Sequence, residues 1–313
     1  MSVQTVIKIL KNYGIYIGFV AIVVIFSLSS EYFLDMYNLM NILVQSSLIA
    51  IIAVGQTFVI LTGGIDLSVG STVAFSSVSV GLMLVSGVPI WMAVIFGTLI
   101  GAGVGMVNGV AIAYGKIPAF IVTLGMMSIA RGAALALNSG KPVSGLPWTF
   151  ERIASTEIAG IPIFVFYMIG IYLLGYLVLY RLRLGRYLFA IGGNRKSTRL
   201  AGINVKRYET SAYLISGLLA GLGGVLLTAR LNYATPLSGN SYELDTIAAT
   251  VIGGTSLAGG EGSLVGTLVG ALLLGTLRNG LTLLNVVSYY QQIIIGSVII
   301  LAVFYDRMRA NKA

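Results

Sequence analysis

A carboxylate, Asp66, sits in the apolar stretch VILTGGIDLSVG (59–70), directly after Gly63 and Gly64. Two kinds of chemistry suit it. Gly63-Gly64 breaks a helix, and the next apolar run starts at Leu67, so Asp66 can cap a helix start by accepting from its otherwise orphaned N–H groups. Near hydrocarbon those groups cannot stay unpaired. The other chemistry is that of a gate or a proton-coupling carboxylate. Three arginines also lie inside apolar runs: Arg131, Arg230 and Arg278. A guanidinium in lipid is costly, so it faces a bundle interior or water, snorkels toward headgroups, or pairs with an acid such as Glu243 or Asp245. Facing inward, Arg131 and Arg278 would border a polar passage.

A further group is neutral. Gln45, Gln56, Thr57, Asn108, Thr123, Asn138, Asn279, Gln291 and Gln292 fall in or at the ends of apolar runs. Amides both donate and accept, which suits a hydroxyl-rich solute and equally suits bonds between helices. The candidate lining residues of a passage are therefore Gln45, Gln56, Asn108, Arg131, Arg278, Asn279 and Gln292, with Gly63, Gly64 and Asp66 as a structural or gating turn. Other chemistries are excluded by composition. There is no Cys and no His, which removes thiolate sites, the Ser/His/Asp set and H-E-x-x-H. The phosphate-cradling G-x-x-x-x-G-K-[ST] is absent, since Lys116 precedes Ile117 and Lys141 precedes Pro142. We therefore expect no catalytic, cofactor or metal site, and no nucleic-acid partner, because the basic residues lie in short loops beside apolar runs.

The elements that must hold these residues follow from composition. The chain has 313 residues, 57% apolar and only 9% charged, where a soluble domain carries roughly a quarter charged. Apolar runs long enough to cross a bilayer recur at 13–30, 39–62, 68–87, 90–113, 117–138, 161–180, 210–231, 243–259, 263–284 and 288–305. The run 243–259 is the least regular, opening with Glu243 and Asp245 and containing Gly253-Gly254. Lys8 and Lys11 precede the first run, and Ser29-Ser30-Glu31-Tyr32 after it is no cleavage pattern, so the first span is expected to be retained. With the N-terminus in the cytoplasm, fourteen of the nineteen basic residues fall inside and two, Lys141 and Arg152, outside. That asymmetry supports ten spans and cytoplasmic termini in an all-α, polytopic membrane protein of one domain, 1–313.

Two loops stand out. The outer loop 139–160 can present Trp148 and Phe150 beside charges to a protein partner or fold down over the bundle. The inner loop 181–209 holds eight basic residues. Within it Asn194 can cap a short helix over about 194–204, with Gly202 stopping it. Leu200 and Ile203 then form an apolar ridge flanked by Lys196 and Arg199, a shape suited to a groove on a partner. Finally, VILTGGIDLSVGS (59–71) echoes VIGGTSLAGGEGS (251–263), both at expected inner turns; the likeness is short enough for shared composition to explain it.

GGIDLSVGS (63–71), YELDTIAATVIGGTSLAGGEGS (242–263), GTLVGALLLGTLRNGLTLLNVVSYYQQ (266–292), LGRYLFAIGGN (184–194) and TRLAGINV (198–205) resemble the permease subunits of bacterial ATP-binding-cassette sugar importers, in their ribose permease branch. The resemblance runs through nearly the whole chain. It implies about ten helices in the cobalamin-permease-like (type II importer) arrangement in the bacterial inner membrane. It also implies a second permease subunit, expected as a homodimer, a cytoplasmic ATPase on a separate chain, and a periplasmic or lipid-anchored sugar-binding protein. The ATPase-coupling segment then comprises Asn194, Arg195, Lys196, Arg199, Leu200, Gly202 and Ile203. Such permeases usually carry Glu-Ala-Ala after Gly-Gly-Asn; here Arg195-Lys196-Ser197 stands there, which implies a more acidic groove on the ATPase. A different class of protein, an ion-coupled secondary carrier using Asp66, remains the alternative from the residues alone.

Overall fold

The computed structural model describes the backbone of residues 3–310 and the side-chain surroundings of residues 14–301 and 304. The side chains of Lys8, Lys11, Arg307, Arg309 and Lys312 lie outside the described residues. The chain is an all-α bundle: α1 (Val3–Ser29), α2 (Met36–Leu61), α3 (Val69–Val85), α4 (Ile90–Ala113), α5 (Ala119–Leu137), a short α6 (Trp148–Ser155), α7 (Ile163–Tyr176), α8 (Arg183–Gly193), α9 (Arg195–Leu200), α10 (Val205–Leu231), α11 (Tyr242–Ile252), α12 (Leu264–Leu283) and α13 (Ser288–Ala310). A two-residue hairpin, β1 (Glu157–Ile158) with β2 (Ile161–Pro162), follows α6, and a π turn (Leu177–Arg181) extends α7.

The helix starts follow from sequence. Pro89, Pro118, Pro147 and Pro162 stand immediately before α4, α5, α6 and α7, where a fixed φ is compatible with helix entry and a missing N–H costs nothing. Asp35, Asn204 and Ser263 cap α2, α10 and α12 by accepting from Tyr37 N, Arg207 N and Gly266 N. Among the described residues, six helices are long and apolar enough to cross a membrane: α2, α4, α5, α7 with its π turn, α10 and α12. Shorter apolar helices lie at Gly14–Ser29, Val69–Val85 and Ser288–Leu301. Each matches one of the expected apolar runs.

The eighth run, 243–259, differs. Helix forms only over Tyr242–Ile252, eleven residues, or about 16 Å at 1.5 Å per residue. That is short of the roughly 30 Å hydrocarbon core. Irregular chain flanks it on both sides. Segment 232–241 dips into the bundle, held by Arg131, whose Nη1 donates to the carbonyls of Pro236 and Ser238. Segment 253–263 returns to α12. Such backbone at membrane depth is tolerated where protein buries it.

α2 and α10 are buried along most of their lengths and form the centre; α4, α5 and α7 keep wide exposed apolar faces, as lipid-facing helices should. The tightest helix pair is α4 against α10. Gly97, Gly101, Gly105 and Gly109 recur every four residues on one face; Gly217 and Gly221 meet the first three and Thr210 meets the last. A Cβ on Gly105 would run into the backbone of Tyr213 and Gly217. Small residues at this spacing let backbones touch, which is how helices associate where lipid gives no hydrophobic drive.

The two echoed turns meet in space. Gly260 N donates to Leu61 O at 3.0 Å, and Gly192, at the end of α8, sits against both Leu61 and Gly260. Here α2 ends, α12 begins and α8 and α9 lie, so we call this the basic end of the bundle. Phe26 of α1 lies against Gly280, and Ile295 of α13 packs with Leu277 and Leu281, all near the opposite end. The hairpin loop after α5 also lies there. Its Phe150 is fully buried in the apolar cluster beneath, while Trp148 stays 66% exposed with the Arg152 guanidinium 4.5 Å from its ring centre. Of the two aromatics expected at the surface, only Trp148 is therefore available: Phe150 buys burial against the bundle instead.

Candidate functional site

Three features gather the polar residues. The first is a cavity of about 770 Å³ in the half of the bundle away from the basic end. Its walls come from α2, α10, α11, α12 and the re-entrant segment 232–241. Gln45, Arg230, Asn240, Tyr242, Asp245 and Arg278 give it a polar lining, and Ile49, Leu227, Ala271 and Leu274 an apolar one. Arg278 Nη2 donates to both carboxylate oxygens of Asp245 at 3.0 Å. The Asp245 side chain is 7% exposed and that of Arg278 is 42% exposed; both line the cavity, the acid as its more deeply buried group.

The second feature surrounds Asp66, which is 1% exposed. Its Oδ1 accepts from Ser68 N (3.0 Å) and Ser68 Oγ (2.7 Å), and its Oδ2 from Ser216 Oγ of α10 (2.9 Å). Asn108 of α4 donates from Nδ2 to Ser68 Oγ at 2.9 Å. Tyr213 of α10 and Thr123 of α5 reach Ile65 O, each at 3.4 Å. Helix α3 starts at Val69 with Ser68 as its cap residue. Asp66 is thus two residues ahead of the cap position, closing an Asx-type turn at Ser68 rather than bonding the first helical N–H groups. It lines neither of the two cavities described in this bundle. Gly70, in the first turn of α3, lies against the Gly239 carbonyl and the Glu243 carboxylate. The start of α3 therefore touches the tip of the segment that floors the cavity.

The third feature is the basic loop. Asn194 Oδ1 accepts from Ser197 N at 2.9 Å and so caps α9. Gly202 takes φ +79°, and Ile203 N turns back to Thr198 O. Helix covers Arg195–Leu200 only, shorter than the expected 194–204, and Ile203 lies past its end and half-buried. The apolar ridge thus reduces to Leu200, 80% exposed, between exposed Lys196 and Arg199. Arg195 makes a two-pronged bond to Glu209 of α10, both contacts 2.6 Å. That bond holds the Arg195 guanidinium pKa above its ordinary value.

The other candidate residues lie apart from the cavity. Gln56 and Asn108 are fully buried on α2 and α4, and neither amide atom of Gln56 is hydrogen-bonded. Asn279 exchanges amide bonds with Asn38 (3.1 and 2.8 Å), tying α12 to α2. Gln292 is exposed, just past the first turn of α13. Arg131 holds the re-entrant segment. Gly63 and Gly64 form the turn after α2, their N–H groups donating to Ile60 O and Val59 O. The structure thus brings together Gln45 and Arg278 and adds Arg230, Asn240, Tyr242 and Asp245. Asp245 and Arg230 carried a charge signal in the sequence; Asn240 carried none, because irregular chain has no period to read.

The fold is that of a multi-pass membrane permease built on apolar helices with a polar inner chamber. The chain belongs to the family described as branched-chain amino acid transport system / permease component, matched over residues 38–303. It is 44% identical over 304 residues to the ribose import permease protein RbsC of Bacillus subtilis (strain 168), covering 96% of this chain and 94% of that one. It is 46% identical to RbsC of Escherichia coli (strain K12), covering 94% and 92%. With the D-allose transport system permease protein AlsC of the same organism it shares 41%, covering 95% and 92%. No solved structure matches.

Proposed function

We propose that this chain is the permease subunit of an ATP-driven importer of ribose or a similar monosaccharide, and that it forms the translocation pathway without catalysing hydrolysis itself. The relatives named for ribose and allose import support the solute class. The cavity supplies a polar chamber of the size usual for small-molecule sites, about 300–1,000 Å³. The basic end faces the cytoplasm, following the excess of Lys and Arg there, and both termini lie on that side of a bacterial inner membrane. The partners are a second copy of this permease, a cytoplasmic ATPase, surrounding lipid, and a periplasmic or lipid-anchored sugar-binding protein at the opposite end, near Trp148.

The observation that carries the reading is α9. It is a capped helix that projects Leu200, Lys196 and Arg199 from the basic end, where no core requires them. It is also bolted to α10 through Arg195–Glu209. One turn further on, Tyr213 and then Ser216 of α10 reach the Asp66 turn. A push on α9 from a soluble motor therefore has a bonded route to the start of α3. Residues 194–203 are the coupling element in this account. The test is Leu200→Asp, which changes an exposed side chain and leaves the fold intact. The permease is expected to insert and melt as wild type but to lose copurification with its ATPase. Copurification at the wild-type level would remove α9 as the docking element.

A further inference from the structure

Arginine in a membrane bundle ordinarily spends its donors on protein acceptors, because unpaired polar groups are costly there. Two arginines of the cavity do not. Arg230, in the last turn of α10, has no hydrogen-bond partner among the described residues, and Arg278 uses only Nη2, on Asp245. The side-chain amides of Gln45 and Asn240, on the same walls, are equally unbonded among the described residues. Asp245 has both oxygens on Arg278, yet each carboxylate oxygen can accept more than one bond. The cavity thus concentrates free donors around one buried acceptor, with an apolar wall opposite.

A neutral polyol fits this set better than an anion does. In a vicinal diol each hydroxyl can accept from a guanidinium and donate to a carboxylate, so a paired Arg and Asp can engage two neighbouring hydroxyls at once. An anion would gain from Arg230 and Arg278 but would be set against Asp245. Building on the sugar-permease reading, we propose that the cavity is a monosaccharide-binding site in which Arg278 and Asp245 together clamp a vicinal diol. Arg230 and Asn240 bond the sugar's remaining oxygens. Leu227 and Leu274 face the C–H surface of the ring. The permease then holds its solute at a defined station between release by the binding protein and passage to the basic end, and it discriminates by hydroxyl pattern in its own right. The floor of that station is the segment touching Gly70, so occupancy and the start of α3 are mechanically adjacent.

Arg230 and Asn240 are the clean probes, since substituting them breaks no hydrogen bond within the chain. The complete transporter, with ATPase and binding protein, is reconstituted in proteoliposomes, and ATP-driven uptake of D-ribose is measured for wild type, Arg230→Gln, Arg230→Lys and Asn240→Ala. Arg230→Gln is expected to lower uptake by about tenfold, the worth of one hydrogen bond to a charged group, and Asn240→Ala by about fivefold, the worth of a neutral one. Melting temperature and assembly should be unchanged, and Arg230→Lys, which keeps a charged donor, should recover part of the loss. Uptake at the wild-type level in both Arg230→Gln and Asn240→Ala overturns the site while leaving the permease reading intact. Inhibition of wild-type uptake by inorganic phosphate from outside, abolished in Arg230→Gln, would make the cavity an anion site and overturn the diol clamp. Failure of the wild type to import D-ribose at all overturns the sugar reading and this site together.

Discussion

Asp66 accepts three hydrogen bonds and makes no ion pair among the described residues, and its neighbours within reach are hydroxyls and a backbone N–H. That set needs an acceptor oxygen and does not need a charge. Asn keeps Oδ1 for Ser68 and can donate to Ser216 Oγ, whose hydroxyl rotates to accept. We predict that Asp66→Asn retains at least about half of wild-type uptake, because Asn closes such turns nearly as well as Asp. Asp66→Leu strands Ser68 N–H and two hydroxyls, at about 1–3 kcal/mol for each buried orphan, and should appear as a fall in folded yield. A carboxylate that carries protons would give the reverse pattern, with Asp66→Asn folding normally and transporting nothing. The residue type and its place before a helix were readable from sequence. Its partner Ser216 was not, since nothing local marks a serine 150 positions away as an acceptor's mate.

Among the elements, apolar runs were the most legible, because a bilayer imposes length and hydropathy on every crossing helix. The short α11 and its flanking irregular chain were not, since buried irregular backbone shows neither a 3.6 nor a 2 period. The outcome for Phe150 has a similar cause: an aromatic in a loop reads the same whether it faces a partner or plugs the bundle. The α4–α10 pair was not read from the sequence: its four glycines spaced by four have no partner surface until α10 is placed. Here backbone meets backbone, so no side chain can yield to an added group. Gly105→Leu is expected to destabilise the permease by about 3 kcal/mol or more, at or above the upper end for overpacking, and to lower the melting temperature in detergent. Gly103→Leu, where an added Cβ meets nothing within 4 Å, should melt as wild type. Equal melting of the two variants would contradict the described helix contact.

At the scale of the whole molecule, the two ends differ in what they present. The basic end projects one short charged helix and joins it through α10 to the Asp66 turn. The opposite half holds a polar cavity whose floor rests on the start of α3. On the proposed reading the cavity is a place for a solute and α9 a place to be pushed, and the sequence offers no phosphate-cradling motif of its own to power it. On the proposed reading, energy therefore arrives from a separate ATPase through α9. That reading is tested most directly by loading proteoliposomes bearing permease, ATPase and binding protein with ATP, collapsing all ion gradients with ionophores, and following D-ribose flux in the direction set by the binding protein. The account predicts that flux persists with ATP and no gradient, stops without ATP, and stops with ATP when the permease carries Leu200→Asp. Ribose flux driven by an imposed ion gradient in liposomes holding the permease alone would contradict it.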